Sequence, residues 1–217
     1  MRVLFLHGDA SSAALQREWL HSSGWNACAT AAGVEFVFID GRVLGSARPE
    51  VVPMPLRAAY MALGAYYHWG QLDAKEPLEA SIKYVQQRMV DLAPIDGLAG
   101  ISSGALLATA IAAREPQLRC LINLSGAPWE QLHPAFRRAL PSVPIHMPSL
   151  HMLSQSDDVF SWHELQRLPA RCLQPLVLTH KHGHAIPRLS PVRVDHTLPS
   201  SRYPCATPAP QPINTRE

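Results

Sequence analysis

Short apolar runs alternate with amphipathic segments along most of the chain. Six runs of aliphatic and aromatic residues are bounded by turn signals, which is typical of buried strands. They cover residues 3–6, 34–39, 97–101, 120–124, 150–153 and 176–178. Strands that are apolar on both faces are typical of parallel sheets, so the runs predict a parallel sheet.

The segments between these runs predict helices. The clearest covers residues 77–92, where apolar residues recur at spacings of three and four. Residues 13–20 and 106–113 are predicted to be helical as well. Because strands and helices alternate, we expect an α/β fold whose mostly parallel sheet is doubly wound and covered on both faces.

Two segments lack this periodicity. Residues 42–70 contain three prolines followed by a group of tyrosines and a tryptophan, and they predict a long loop or lid. From residue 190 onward the chain has six prolines and no apolar period, which predicts a disordered tail. We therefore expect one folded domain over residues 1–188 and a Pro-rich tail over residues 189–217.

Composition narrows the possible partners and the compartment. The 217 residues are 47% hydrophobic and 17% charged, with a formal net charge of +2. Such a weak charge does not favour binding to nucleic acid or to an anionic membrane surface. The four cysteines form no C-x-x-C pair, and no apolar run is long enough to span a bilayer. These features predict a soluble cytoplasmic protein with reduced thiols.

A G-x-S-x-G motif stands between a predicted strand and a predicted helix. Gly100 and Gly104 flank Ser102, each two residues away. A sharp strand-to-helix turn of this kind is the setting of a nucleophilic serine in hydrolases. The alternative is an ordinary turn of small residues. If Ser102 is the nucleophile, the backbone N–H of Ser103 supplies half of an oxyanion hole.

A nucleophilic serine needs a base and an acid that orients the base. In this topology both follow the serine, in the order acid and then histidine. His184 lies just after the last predicted strand, with His180 and His182 as rivals. The acid follows the preceding strand and is Asp157 or Asp158, which the pattern alone does not separate.

The second oxyanion donor is expected in the loop after the first strand. The backbone N–H of Asp9 is the candidate, and its carboxylate must then point away from the developing negative charge. Near the histidine cluster no cysteine or carboxylate completes a tetrahedral ligand set. The sequence therefore predicts neither a metal site nor a cofactor.

Several motifs together resemble one known family. They are Leu-His-Gly at residues 6–8, Asp-Gly at 96–97, Gly-x-Ser-x-Gly-Ala at 100–105, Ser-Gly at 125–126, Pro-Ser-Leu-His at 148–151 and His-x-x-Gly-His-x-x-Pro at 180–187. In this combination, over about residues 2–188, the chain resembles the FSH family of small serine hydrolases within the α/β-hydrolase superfamily. The resemblance implies an α/β-hydrolase fold and no cofactor.

The resemblance also implies roles for particular residues. It makes Ser102 the nucleophile, Asp157 the acid and His184 the base. Known members are esterases or thioesterases acting on acyl chains, so the expected partner is a small acyl ester or thioester. The chain departs from the family at Asp9 and Ser103, and it lacks the final helix after the histidine loop. Apolar surface left uncovered there predicts self-association.

Two other interpretations remain open at this point. Because a fold does not guarantee an activity, the chain could be a catalytically impaired binding module with a hydrolase fold. It could also be a hydrolase of another type, such as a peptidase or a lipase. Labelling by a fluorophosphonate probe separates an enzyme from a binding module, and a comparison of esters with peptide amides separates the hydrolase types.

Overall fold

The computed structural model describes residues 1–49, 57–139 and 144–189, and most of the proposed tail lies outside these ranges. Its strands are β1 (Arg2–Leu6), β2 (Glu35–Ile39), β3 (Val43–Leu44), β4 (Tyr67–His68), β5 (Gly97–Ile101), β6 (Cys120–Leu124), β7 (Ser149–Ser154) and β8 (Pro175–His180). Six of them form one sheet in the order β2-β1-β5-β6-β7-β8, and all neighbours in it are parallel. The predicted parallel sheet is therefore confirmed.

Helices connect the strands as the alternating pattern predicts. They are α1 (Ala13–Ser22), α2 (Trp25–Ala31), α3 (Arg57–Leu63), α4 (Lys75–Asp91), α5 (Ser103–Ala112), α6 (Pro134–Ala139) and α7 (Trp162–Leu165). The start of α1 follows from its sequence, since the Ser12 hydroxyl accepts a hydrogen bond from the Leu15 amide at 3.2 Å. None of the described helices is long and apolar enough to cross a membrane.

The two faces of the sheet carry separate apolar cores. Leu4 and Leu6 of β1 pack in the cluster that includes α4 and α5, whereas Val3 and Phe5 pack with α1 and α2 on the other side. All four side chains are essentially inaccessible to solvent. Burial of one such side chain contributes about 1.5–3 kcal/mol to folding. The two cores fix the strand order that brings the carboxyl ends of β1, β5, β7 and β8 to one edge.

The prediction of a loop or lid over residues 42–70 is wrong for the part that the structure describes. That part contains α3 and an antiparallel pair of β3 with β4. Tyr60 and Trp69 are completely buried. The Tyr60 ring packs 4.4 Å from that of Tyr66, and Trp69 packs against His7 at 4.7 Å. Aromatic packing against distant residues orders a segment that has no sequence period of its own.

The far edge of the sheet is formed by β8, and no helix follows it within residues 144–189. Leu176 and Leu178 are 58% and 43% exposed. They lie opposite Leu150 and Met152 of β7 in the parallel register. The amide of Leu189, at the start of the proposed tail, donates to the carbonyl of Ser23 at 2.8 Å. Leu189 therefore still contacts the folded domain, one residue beyond the predicted domain boundary, while the apolar residues of β8 are exposed.

Candidate active site

Ser102 occupies a strained turn between β5 and α5. Its backbone has φ 54° and ψ −124°, a combination that is unfavourable for any residue other than glycine. Hydrogen bonds hold the turn, since the Ser102 amide donates to the carbonyl of Leu124 at 3.1 Å. The Ser102 carbonyl accepts from the amides of Ala105 and Leu106 at 3.0 and 3.1 Å. Ser102 thus stands at the carboxyl edge of the sheet, before the N-terminus of α5.

The two motif glycines allow this turn to pack closely. A Cβ atom on Gly104 would overlap the carbonyl oxygens of Leu6 and His7 at the end of β1. A Cβ atom on Gly100 would lie 2.5 Å from the carbonyl carbon of Gly104. Side chains at either position would push α5 away from the sheet, so the motif is required by close backbone approach.

His184 and Asp157 meet at the same edge. The Nδ1 atom of His184 lies 2.9 Å from Oδ2 of Asp157 and 3.2 Å from its Oδ1. Oδ1 of Asp157 also accepts from the amides of Val159 and Phe160, each at 2.9 Å. The Asp157 side chain is wholly buried, whereas 16% of the His184 side chain is exposed.

The electrostatics of Asp157 follow from these contacts. Burial alone raises the pKa of a carboxyl group, but here hydrogen bonds from His184, Phe160 and Val159, together with the charge of His184, outweigh it. The pKa of Asp157 is consequently below its ordinary value. An ionised, buried carboxylate can fix the orientation of an imidazole and stabilise its protonated form.

The two adjacent aspartates have different partners. Oδ1 of Asp158 accepts from the backbone amide of His184 at 3.4 Å, while Asp157 contacts the ring. The pattern of the sequence did not separate them, and the geometry does. Of the two carboxylates, that of Asp157 contacts the His184 imidazole.

The rival histidines are arranged differently. The His182 amide donates to Nδ1 of His180 at 3.3 Å, and their two rings stack at 5.7 Å. Burial, and then the charge of His182, lower the pKa of His180. Neither residue lines the cavity that holds Ser102.

A cavity of about 260 Å³ brings most of the predicted site residues together. Ser102, Ser103, Asp9 and His184 line it, and Asp157 lies behind His184. Its apolar wall is formed mainly by Leu15, Trp19, Ile101, Val159 and Phe160. Asp9 is exposed to solvent. A larger and more open groove of about 540 Å³ at the β2 edge contains none of these residues.

Phe160 is a residue of the site that sequence reasoning missed. Its ring stands edge-to-face against the His184 imidazole, with centroids 5.3 Å apart and planes at 74°. Its amide also donates to Asp157. The amide contact is local, since it spans three residues, whereas the ring contact has no sequence signal because it depends on the return of the chain after β8.

Among the described residues, no hydrogen bond joins the Ser102 hydroxyl to His184, and no three potential metal ligands cluster. Hydrogen bonds between nucleophile and base are often long without substrate and shorten in the complex. The Nδ1 atom of His184 is engaged by Asp157, which leaves Nε2 as the atom able to accept a proton. The arrangement can therefore support a proton transfer from a hydroxyl in the cavity.

Solved structures share this fold. A carboxylesterase from Bacillus cereus aligns with a TM-score of 0.58 at 15% identity, covering 85% of this chain and 80% of that one. Zea mays acyl-protein thioesterase 2 aligns with a TM-score of 0.53 at 18% identity, covering 85% of this chain and 86% of that one. At these identities the similarity establishes the α/β-hydrolase fold alone.

Sequence relatives are more specific. Esterase OVCA2 from Homo sapiens is 33% identical over 123 residues, which covers 54% of this chain and 53% of that protein. The protein of the same name from Xenopus tropicalis is 30% identical over 118 residues, covering 52% and 51%. The matches thus span about half the length of these relatives. Residues 1–195 match the family described as serine hydrolase (FSH1), and the chain belongs to that family.

Proposed function

We propose that the chain is a serine esterase or thioesterase that hydrolyses small acyl substrates through an acyl-enzyme. The observation that carries the proposal is the shared cavity of Ser102 and His184, with Asp157 bonded to the far side of the His184 ring. The names of the OVCA2 relatives support an ester substrate, and the family supports a serine nucleophile.

In the proposed reaction, Oγ of Ser102 attacks the acyl carbonyl carbon and its proton passes to Nε2 of His184. Asp157 stabilises the imidazolium that forms. The carbonyl oxygen becomes an oxyanion, which accepts hydrogen bonds from the backbone N–H groups of Asp9 and Ser103. The Ser103 amide suits this role because it lies in the first turn of α5, where amides have no partner within the helix.

The intermediate then collapses and expels the alcohol or thiol, which takes the proton from His184. Water, activated by the same imidazole, hydrolyses the acyl-enzyme and regenerates Ser102. The apolar wall near Trp19 and Phe160 fits an acyl chain, and the cavity volume fits a short or medium one. The three described cysteines are free thiols, which supports our placing the protein in the cytoplasm.

The proposal is tested by labelling and by substrate profile. We expect a fluorophosphonate probe to label Ser102, and p-nitrophenyl esters of short to medium chain length to be hydrolysed. A chain that neither reacts with the probe nor hydrolyses esters would be a binding module with this fold. Faster cleavage of peptide amides than of esters would identify a peptidase, and a preference for long-chain glycerides would identify a lipase.

A further inference from the structure

The loop that carries the Asp9 amide is clamped by a segment whose sequence predicts only an irregular connection. We call this segment, residues 57–69, the strap; it comprises α3, β4 and Trp69. The clamped loop is residues 8–10, directly after the end of β1. The strap holds it on both sides.

On one side the strap fixes Ala10. This residue has φ 48°, a left-handed conformation that is unfavourable for alanine. The hydroxyl of Tyr60 donates to the Ala10 carbonyl at 2.9 Å and accepts from the Arg48 amide at 2.7 Å. Tyr60 is completely buried. A buried hydroxyl therefore holds a strained residue next to Asp9.

The following residue is paired with the strap through the backbone. The Tyr67 amide donates to the Ser11 carbonyl at 2.7 Å, and the Ser11 amide donates to the Tyr67 carbonyl at 3.3 Å. This bridge continues the β3–β4 pair onto the loop. It fixes the exit of residues 8–10, and β1 fixes their entry.

On the other side the strap holds His7. The indole Nε1 of Trp69 donates to the His7 carbonyl at 2.8 Å, and its ring lies against the imidazole. Nε2 of His7 accepts from the Gly41 amide at 2.8 Å, so the proton of the neutral ring is on Nδ1. Nδ1 then donates to the Gly8 carbonyl at 2.6 Å.

These contacts determine the direction of the Asp9 amide. In a trans peptide the carbonyl of Gly8 and the N–H of Asp9 point in opposite directions. Because His7 holds the carbonyl, the N–H faces away from His7. The loop also abuts the nucleophile, since a Cβ atom on Gly8 would lie 3.5 Å from Cβ of Ser102.

We propose that the strap is the positioning element of the oxyanion hole, with Tyr60 and Trp69 as positioning residues that act through Ala10 and His7. This inference rests on the proposed function, because it assigns the Asp9 amide to the oxyanion. Without the strap, Ala10 relaxes to a favourable backbone conformation and the Asp9 N–H turns away. The ground-state fit of the acyl chain in the cavity does not depend on that amide.

The test compares two tyrosines of one buried cluster. Tyr60→Phe removes the hydroxyl bonded to Ala10. The control Tyr66→Phe removes a hydroxyl whose partners among the described residues are the Tyr60 carbonyl and the Met61 sulfur. With a p-nitrophenyl ester we expect Tyr60→Phe to lower kcat at least about ten-fold with little change in KM. A trifluoromethyl ketone, which forms an oxyanion with Ser102, should bind the variant more weakly by a similar factor. Tyr66→Phe should change neither quantity by more than about three-fold.

Two further variants keep the test decisive. Trp69→Phe replaces Tyr60→Phe as the test if that variant does not fold. It keeps a ring beside His7, removes the Nε1 donor, and should lower kcat in the same manner. Adding Ala10→Gly to Tyr60→Phe should restore part of kcat, since glycine adopts positive φ without strain.

Two results would overturn the role of the strap while leaving the esterase proposal intact. One is an equal kcat in the two tyrosine variants, and the other is a Tyr60→Phe variant whose KM rises while its kcat is unchanged. A wild-type chain that is inactive and unlabelled by fluorophosphonate would overturn the proposed function itself, and the role of the strap with it.

Discussion

The carboxylate of Asp157 and the imidazole of His184, 27 residues apart in the chain, meet at 2.9 Å with the Asp157 side chain entirely buried. Asp158, the next residue, contacts only the backbone amide of the same histidine. The two aspartates therefore make a matched pair for mutation. One contacts the ring, in the role we propose for the acid, and the other contacts the backbone of the loop that carries the ring.

We expect Asp157→Asn to lower kcat by about 10⁴-fold. The asparagine can still accept from Val159 and Phe160, but its amide favours the tautomer with a proton on Nε2 of His184, which then cannot accept one from Ser102. Asp158→Asn keeps an oxygen for the His184 amide and should cost less than about ten-fold. Ester hydrolysis and thermal melts of both variants check this, and a reversed ranking would make Asp158 the acid.

The adjacent serines give a second matched pair. Ser102→Ala should abolish fluorophosphonate labelling and lower kcat by about 10⁶-fold. The Ser103 hydroxyl is buried without a hydrogen-bond partner among the described residues, and its proposed contribution is the backbone N–H. Ser103→Ala should therefore keep kcat within a few-fold and leave the melting temperature unchanged or slightly higher. Comparable losses in both variants would refute this assignment.

The elements nearest the nucleophile are those that the sequence predicts best. The bounds of β5 and β6 agree with the predicted runs residue for residue, because both strands are mostly apolar, with Asn123 the exception in β6, and end at turn signals. The helix after Ser102 begins three residues earlier than its apolar pattern, at Ser103, because the elbow itself starts the helix. Local pattern and tertiary packing agree here, and the proposed nucleophile stands out in the sequence as a result.

Other parts of the structure depend on contacts between distant residues. The short helix α7 does have a local signal, since Ser161 and Glu164 form a capping box, but four residues give no period. The strap has no local sequence signal, because Tyr60 and Trp69 are held in place by contacts with the distant residues Ala10 and His7. Asp157 could be separated from Asp158 only by resemblance or by geometry, since adjacent residues share every local pattern.

Two buried histidines make folding stability depend on pH. His7 and His151 are completely buried, and desolvation lowers the pKa of each to about 4. Nδ1 of His151 faces the Asn123 amide at 3.4 Å and Nε2 faces the Ser149 hydroxyl at 3.1 Å, which suits a neutral ring. In the unfolded chain both rings titrate near pH 6.5.

The sign of the effect follows from proton binding. Between pH 6.5 and pH 4 the unfolded state binds more protons than the folded state, so the free energy of unfolding falls as the pH falls. Above about pH 6.5 this contribution is fully present. Each histidine accounts for a loss of about 3 kcal/mol across the window.

Urea unfolding at pH 7.5, 5.5 and 4.5 measures this loss. His151→Gln retains an amide donor for Ser149 and should remove about half of the loss that the two buried histidines cause. His163→Gln, a replacement of an exposed histidine, is the control and should leave the dependence unchanged. A free energy of unfolding that is flat across this range would contradict the prediction.

The exposed edge of the sheet predicts self-association. Leu176 and Leu178 are 58% and 43% exposed on β8, which within the described part of the chain pairs with another strand on one side only, a combination that favours pairing with another chain. We expect sedimentation velocity to show reversible association that increases with protein concentration. Replacing both leucines by glutamine should shift the distribution to monomer, because buried apolar area contributes about 25 cal/mol per Å² to association.

Val90→Gln removes an even more exposed residue from α4, at 70% exposure, and should leave association unchanged. Ester hydrolysis should survive the double substitution, since β8 contributes no residue to the cavity wall. A wild-type chain that stays monomeric at every concentration would show that this surface drives no contact between copies.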